Sequence, residues 1–442
     1  MSGLLWLGSL LLVGLAGIPL AFHPAFARFP FSTRIVLAAA SGAALVSFVM
    51  TAAVLLAIPW SVPWLVAAAA ALGAALRLLL RAPARVGVPP ARESSGRLLL
   101  LSAGVLSAAA VAAALAATVA GAATSPDLLF FWGPKAQQFA FARSFDASFM
   151  RDELHHHMHA YYPPLVTNLG AFASMTAGRM SWTGATLTFP LLLGALAIGL
   201  PGMLSDGPGR ARAAAIAALT ISAIAYLGIE ADIAGNGEMP LLLFETLAIA
   251  LLLSDSASDG PTQLLAGIFL AGAASAKVEG LPFAISAAGL FFAARPSAAR
   301  PFGPTAARLL FPMVAMLAAW FAFGATRRIF FGYSGYGRFL DLYPDHLRAV
   351  LSAVSRSLWT TGHTLPWLVP LVCVLLALPL SRRWILPVGI AAVLTAFFLF
   401  TYLHRAEDPS LWISWSASRI FSPVAMLLAV AASLGKPAAA RP

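Results

Sequence analysis

Apolar runs of about twenty residues recur along this chain, the length that a hydrocarbon core of roughly 30 Å demands of a helix. Inside a bilayer no water meets the backbone N–H and C=O groups, so each run must satisfy them internally, as a helix. About thirteen such spans can be laid out, near residues 3–22, 35–58, 62–80, 98–122, 182–204, 213–229, 239–254, 263–276, 280–294, 309–326, 366–380, 384–402 and 420–434. Composition agrees, with 60% hydrophobic residues, 10% charged residues and a mean hydropathy of +0.85, where soluble domains carry roughly 25% charge. The expected fold is an all-α polytopic membrane protein.

The formal charge of +11 does not point to nucleic acid, because its distribution follows topology. Lys and Arg stay in short cytoplasmic loops, and Arg81, Arg85, Arg92 and Arg97 share one loop while Arg295, Arg300 and Arg308 mark another. This places 123–181 outside the cytoplasm, in a cell (plasma or inner) membrane. The first arginine, Arg28, follows the first apolar run, so that run reads as a retained span and not as a cleaved signal peptide. The single cysteine, Cys373, lies in a span, which leaves no intramolecular disulfide and no thiol chemistry.

The first three spans, within 1–97, carry almost no charge and read as scaffold. Residues 98–442 carry the polar outer segments, near 123–181, 230–239, 327–365 and 403–419. In the first of these, Phe130, Phe131, Trp132, Phe139, Phe141, Phe145 and Phe149 interleave with Lys135, Arg143 and Arg151, a mixture suited to helices lying in the interface. The stretch that starts at Tyr161 and Tyr162 is polar for a span and is expected to lie at, or re-enter, the outer surface.

Ser125, Pro126 and Asp127 follow the order of helix N-cap, first helical position and first-turn acid; the helix dipole alone accounts for such an acid, and catalysis is the other reading. Pro134 is expected to kink the helix between Asp127 and Lys135, and Lys135 either snorkels to the headgroups or serves a site. His155, His156, His157 and His159 invite a metal, with His155 and His159 sharing a helix face, but no carboxylate spacing accompanies them. A divalent metal is therefore not indicated, and no cofactor is expected. Lys277 and Glu279 sit in a turn too tight for a loop and are expected to pair or to face a polar cavity. Glu245, inside an apolar span, calls for a hydrogen bond to a neighbouring helix. Glu230, Asp232 and Glu238 are loop acids open to a ligand role, and Tyr333, Tyr336, Arg338, Arg405 and Arg419 supply hydroxyls and cations suited to phosphate.

Taken in order, Asp127, Trp132-Gly-Pro-Lys-Ala136, Tyr162-Pro-Pro-Leu165, the Glu-Met-Pro turn at 238–240, Lys277-Val-Glu-Gly280 and Trp415-Ser-Ala-Ser-Arg419 resemble the GT-C class of polytopic glycosyltransferases, near the protein-mannosyltransferase and aminoarabinose-transferase group. The resemblance covers about residues 98–423 and implies a GT-C-like bundle. It also implies a polyprenyl-phosphate sugar as donor and an extracytoplasmic glycan, lipid or protein as acceptor. The chain departs from that group in having Tyr162 where the aminoarabinose branch has Lys, a single Asp127 where an acid pair is frequent, and three extra leading spans.

On that resemblance Asp127 is the general base that draws the proton from the acceptor hydroxyl as it attacks the anomeric carbon, with inversion. Lys135, Lys277, Arg338 and Arg419 hold the donor phosphate, and Trp132, Tyr161, Tyr162, His159, Glu238 and Glu279 bind substrate. A lipid or sugar transporter is the alternative from another class, since intramembrane charge also marks transport paths, although no inverted repeat is visible. A noncatalytic membrane assembly protein is the third reading.

Overall fold

The computed structural model describes residues 2–80, 97–121, 125–159, 162–204, 210–229, 235–254, 256–294, 302–329, 342–359, 365–376, 382–404 and 408–434. Every regular element among them is helical. Helices α1 (Ser2–Ala21), α2 (Phe31–Leu55) and α3 (Val62–Leu79) precede α4 (Arg97–Gly121). A π-helical turn, Asp127–Trp132, then runs into α5 (Gly133–Ala142), followed by α6 (Ala147–Arg151), a 3-10 segment (Glu153–Met158) and α7 (Leu165–Ala177). Next come α8 (Trp182–Met203), α9 (Arg210–Ile229), α10 (Glu238–Leu253), α11 (Gly260–Ala276), α12 (Gly280–Ala293) and α13 (Phe302–Arg327). The described chain ends with α14 (Leu347–Trp359), α15 (Leu365–Leu376), α16 (Ile385–Leu403), α17 (Ser410–Ile420) and α18 (Ser422–Ser433).

Among the described residues, eight helices are long and apolar enough to cross a membrane: Ser2–Ala21, Phe31–Leu55, Val62–Leu79, Leu98–Ala120, Trp182–Met203, Phe302–Arg327, Ile385–Leu403 and the near-continuous Ser410–Ser433. The chain is a multi-pass helical membrane protein. At its centre stand α10 and α11, which pack on each other and are buried on every side. A helix that is apolar all round belongs in such a position. Around this pair, α8 and α18 contact α10, and α13 contacts α11.

The leading helices are not set apart from the rest. α1 packs against α2, α3, α7 and α8, and α2 reaches α8, α11 and α13. At the α1–α2 crossing the backbones touch: a Cβ on Gly17 would meet the Ala38 carbonyl oxygen at 1.9 Å, and one on Gly42 would meet that of Val13 at 1.8 Å. With no hydrophobic drive between helices in lipid, such close approach through small residues is what holds them.

The segment after α4 is fastened by its aromatics, and these divide into two sets. Phe145 inserts among Trp60, Phe139, Trp320 and Phe323 at ring separations of 4.8–5.4 Å, whereas Phe130 and Phe141 are exposed. Only the second set matches the interfacial role expected for the whole run; burial against α13 claims the first. α7 is 13 residues long, too short to span a bilayer at 1.5 Å per residue. Its buried Asn168 places Nδ2 at 3.1–3.2 Å from Ser47 O, Ser47 Oγ and Thr51 Oγ1 of α2, which satisfies the amide's donors where lipid would not.

Candidate functional site

The turn that carries Asp127 is shaped by a missing donor. Pro134 has no N–H to close the helical ladder, and the Gly133 N–H reaches back five residues to Leu128 O. The helix passes through this π turn and continues into α5, so the expected kink is absorbed as a local unwinding. Ser125 occupies the start as expected, its carbonyl accepting from Leu129 N at 3.0 Å, but its side chain does not cap. The Ser125 hydroxyl donates instead to Asn236 Oδ1 at 3.0 Å.

That bond joins the Asp127 turn to the turn before α10. Gly235 has φ of +92°, and a Cβ there would lie 2.5 Å from the Ser125 Cβ, so only glycine admits both the conformation and the approach. The next turn of chain begins α10 with Glu238, 1% exposed. Asp127 and Glu238, 111 residues apart in sequence, are thereby brought to the same end of the bundle.

Two cations complete a chain of charges. Arg419 Nη1 donates to Asp127 Oδ2 at 2.9 Å and lies 3.5 Å from Glu238 Oε1. Lys277 Nζ donates to Glu238 Oε1 at 2.8 Å and lies 3.3 Å from Glu279 Oε1. The order Asp127, Arg419, Glu238, Lys277, Glu279 alternates in sign, with three carboxylates on two cations. The expected pairing of Lys277 with Glu279 is present, with Glu238 added to it. Among the described residues, Glu238 Oε2, Glu279 Oε2 and Arg419 Nε are buried with no hydrogen-bond partner, which leaves the network with capacity to accept and donate further bonds.

Beside the network stands an aromatic wall. Tyr162 stacks on His159 at 4.8 Å and lies 5.6 Å from Trp132, and Phe131 meets His159 edge-on at 4.9 Å. Trp132 borders both halves of the site: a Cβ on Gly237 would lie 3.1 Å from its Cζ2 and 3.6 Å from Lys277 Cδ. On its other side the Lys135 ammonium lies 5.1 Å from the indole centroid and donates to His159 O at 3.1 Å. Lys135 is buried and has no carboxylate partner among the described residues. Desolvation pulls its pKa down to about 7.

An apolar cavity of about 210 Å³ lies past Trp132, walled by residues that include Trp6, Val36, Ala136, Gly170, Leu192 and Phe244. About a third of that wall comes from α1 and α2. The scaffold reading of these helices therefore misses a part of the site that nothing in their Ala-rich sequence marks.

Two expectations are corrected. Glu153–Met158 is a 3-10 helix, and His159 lies beyond it with φ of +50°, so His155 and His159 do not share an α-helical face. His155 Nδ1 is instead 3.0 Å from Phe149 O, and among the described residues no group of three or more His, Cys, Asp or Glu is placed to hold a metal. Glu245, 2% exposed, makes no hydrogen bond to a neighbouring helix among the described residues, and its Oε2 is buried without a partner. It sits in α10 roughly 10 Å, two turns, below Glu238. Tyr161, Arg338, Tyr333, Tyr336, Arg405, Glu230 and Asp232 lie outside the described residues.

No family model, curated protein or solved structure matches the chain.

Proposed function

We propose that the chain is a membrane glycosyltransferase, a GT-C-like bundle of about thirteen transmembrane helices, that moves a sugar from a polyprenyl-phosphate donor to an acceptor outside the cytoplasm. The reading rests on one observation above all: Asp127 joins Arg419, Glu238, Lys277 and Glu279 in one network beside a buried lysine and an apolar cavity. A polar head and an apolar tail on one substrate suit that juxtaposition. At 210 Å³ the cavity is below the roughly 300 Å³ of ordinary small-molecule pockets, and it takes the first part of a lipid chain.

Arg419 donates to Asp127 Oδ2 at 2.9 Å and fixes that oxygen. The carboxylate takes the proton of the acceptor hydroxyl while that oxygen bonds to the anomeric carbon. The bond from the anomeric carbon to the phosphate oxygen breaks, its electron pair leaves with the lipid phosphate, and the configuration inverts. Lys277 and Arg419 already neutralise carboxylates, which puts Lys135 first among the phosphate holders. Glu238 and Glu279, each with a spare oxygen, accept hydroxyls of the sugar, with Trp132, Tyr162 and His159 against its apolar faces.

The test is release of polyprenyl phosphate by purified protein given polyprenyl-phosphate sugars and candidate acceptors, wild type against Asp127→Asn. Release by wild type alone is the expected result. Release by both keeps a transferase and removes Asp127 as base; release by neither sinks the reading.

One observation favours a second reading, a lipid or sugar transporter. Glu245 is a buried carboxyl with an unpartnered oxygen inside an apolar helix, and such groups mark ion and proton paths. Proton-coupled flux across proteoliposomes, lost in Glu245→Gln, is the measurement that supports it.

A further inference from the structure

A second concave site lies on the other face of α5. It is a groove of about 650 Å³ between α5 and the C-terminal end of α7, lined by residues that include Pro134, Gln137, Phe141, Arg143, Ser174 and Arg179. Lys135, Ala136 and Phe139 turn inward from α5, while Gln137, Phe141 and Arg143 are exposed, so α5 stands between this groove and the network, and Met180 borders both the groove and the apolar cavity.

Both arginines are presented by left-handed helix ends. Arg143 is the C-cap of α5, with φ of +53°, a conformation that favours glycine or asparagine. Trp60 braces it from both sides: Trp60 N donates to Arg143 O at 2.8 Å, and Arg143 Nη1 donates to Trp60 O at 3.4 Å. Arg179 follows Gly178, the left-handed C-cap of α7 with φ of +75°, and donates to Ser2 Oγ at 3.2 Å. Neither guanidinium meets a carboxylate among the described residues. The nearest acid on this stretch, Asp146, is already occupied by Gln138 Nε2 at 2.6 Å and by Ser148 N and Phe149 N at 3.0 Å. The groove thus holds two unneutralised cations, the exposed amide of Gln137 and an aromatic ring 86% exposed at Phe141.

We infer that this groove binds a phosphate-bearing polar ligand, with Arg143 and Arg179 on the phosphate and Gln137 and Phe141 on the polar body. Guanidinium forks match phosphate oxygens in pairs, and amides with an exposed ring suit a hydroxylated body. The inference goes beyond the transferase reading, since it requires binding and no turnover. A soluble phosphate monoester and an anionic lipid headgroup offer the same chemistry.

The full chain in phosphatidylcholine nanodiscs is titrated with glycerol 1-phosphate. In parallel, the protein reconstituted with phosphatidylglycerol is extracted and its retained lipid counted by native mass spectrometry. Wild type, Arg143→Gln/Arg179→Gln, Arg179→Gln alone and Lys135→Met are compared; the single variant guards against loss of fold at the braced Arg143. The expected result is saturable binding of glycerol 1-phosphate, weakened at least tenfold in the double variant, weakened in Arg179→Gln and kept in Lys135→Met. Retention of phosphatidylglycerol by wild type, lost in the arginine variants, without binding of the soluble probe, supports the lipid as the source. The inference is overturned by binding that the arginine variants leave intact, by loss in Lys135→Met alone, or by absence of both ligands from wild type.

Discussion

Lys135 and Lys277 are buried almost equally, at 3% and 5% exposed, yet the protein treats their charges in opposite ways. Lys277 lies between two carboxylates, Glu238 and Glu279. Lys135 has an indole face and one carbonyl oxygen. Burial costs both ammonium groups their water; only Lys277 receives countercharge in return. What the pair teaches is that an ion's availability for a ligand depends on the partners already in place, not on its depth.

The contrast breaks most visibly at Lys277. Lys277→Met leaves Glu279 without its cation and Glu238 with Arg419 alone, and removal of one member of a buried pair costs about 3–5 kcal/mol. Thermal unfolding in detergent reads the loss, and adding Glu238→Gln to that variant recovers part of it. Lys135→Met is expected to act in the other direction, raising the unfolding temperature at pH 6, because it removes a charge whose burial is uncompensated. A loss there as large as that of Lys277→Met would end the comparison.

Acidity sharpens it next. The folded pKa of Lys135, about 7, is below the roughly 10.4 of free lysine, so the unfolded chain binds more protons between those values. Its cost to folding is full below pH 7 and falls away as pH rises toward 10.4. Wild-type stability therefore gains a rising slope across that window which Lys135→Met lacks. If Lys135 holds the donor phosphate, phosphate affinity falls by up to about tenfold per pH unit above 7, and titration of farnesyl phosphate at pH 6, 7 and 8 measures it. A flat profile removes Lys135 from the phosphate.

The smallest effect is expected at Trp132. Its face contributes about 0.5–2 kcal/mol to the Lys135 ammonium, so Trp132→Leu lowers the pKa of Lys135 further while leaving the Lys277 pairs intact. Measuring the pH midpoint of phosphate binding in this variant separates the two lysines; an unchanged midpoint shows that the indole does not stabilise the charge.

The sequence is informative where a residue's surroundings are local. The tight turn at 277–280 dictates that Lys277 and Glu279 meet, and they do, 3.3 Å apart. The Ser125, Pro126, Asp127 order announces a helix start, and one begins there. It is uninformative where a partner comes from a distant segment. Ser125 reads as a cap, yet a buried asparagine 111 residues later takes its hydroxyl. His155 and His159 read as an α-helical pair until a 3-10 turn breaks their register. The Ala-rich α1 and α2 carry no chemical signal, and their place in the cavity wall follows from a glycine contact between backbones.

The sequence alone determined that this chain is helical and crosses a membrane many times, because a bilayer leaves an apolar backbone no other way to bond its polar groups. It also determined which side chains have the chemistry for a site. Tertiary structure decided which of those are already spent. Glu238 and Lys277 are 39 residues apart in sequence, Asp127 and Arg419 292 apart, and a charge is strong or weak through distances of a few ångströms that packing alone sets.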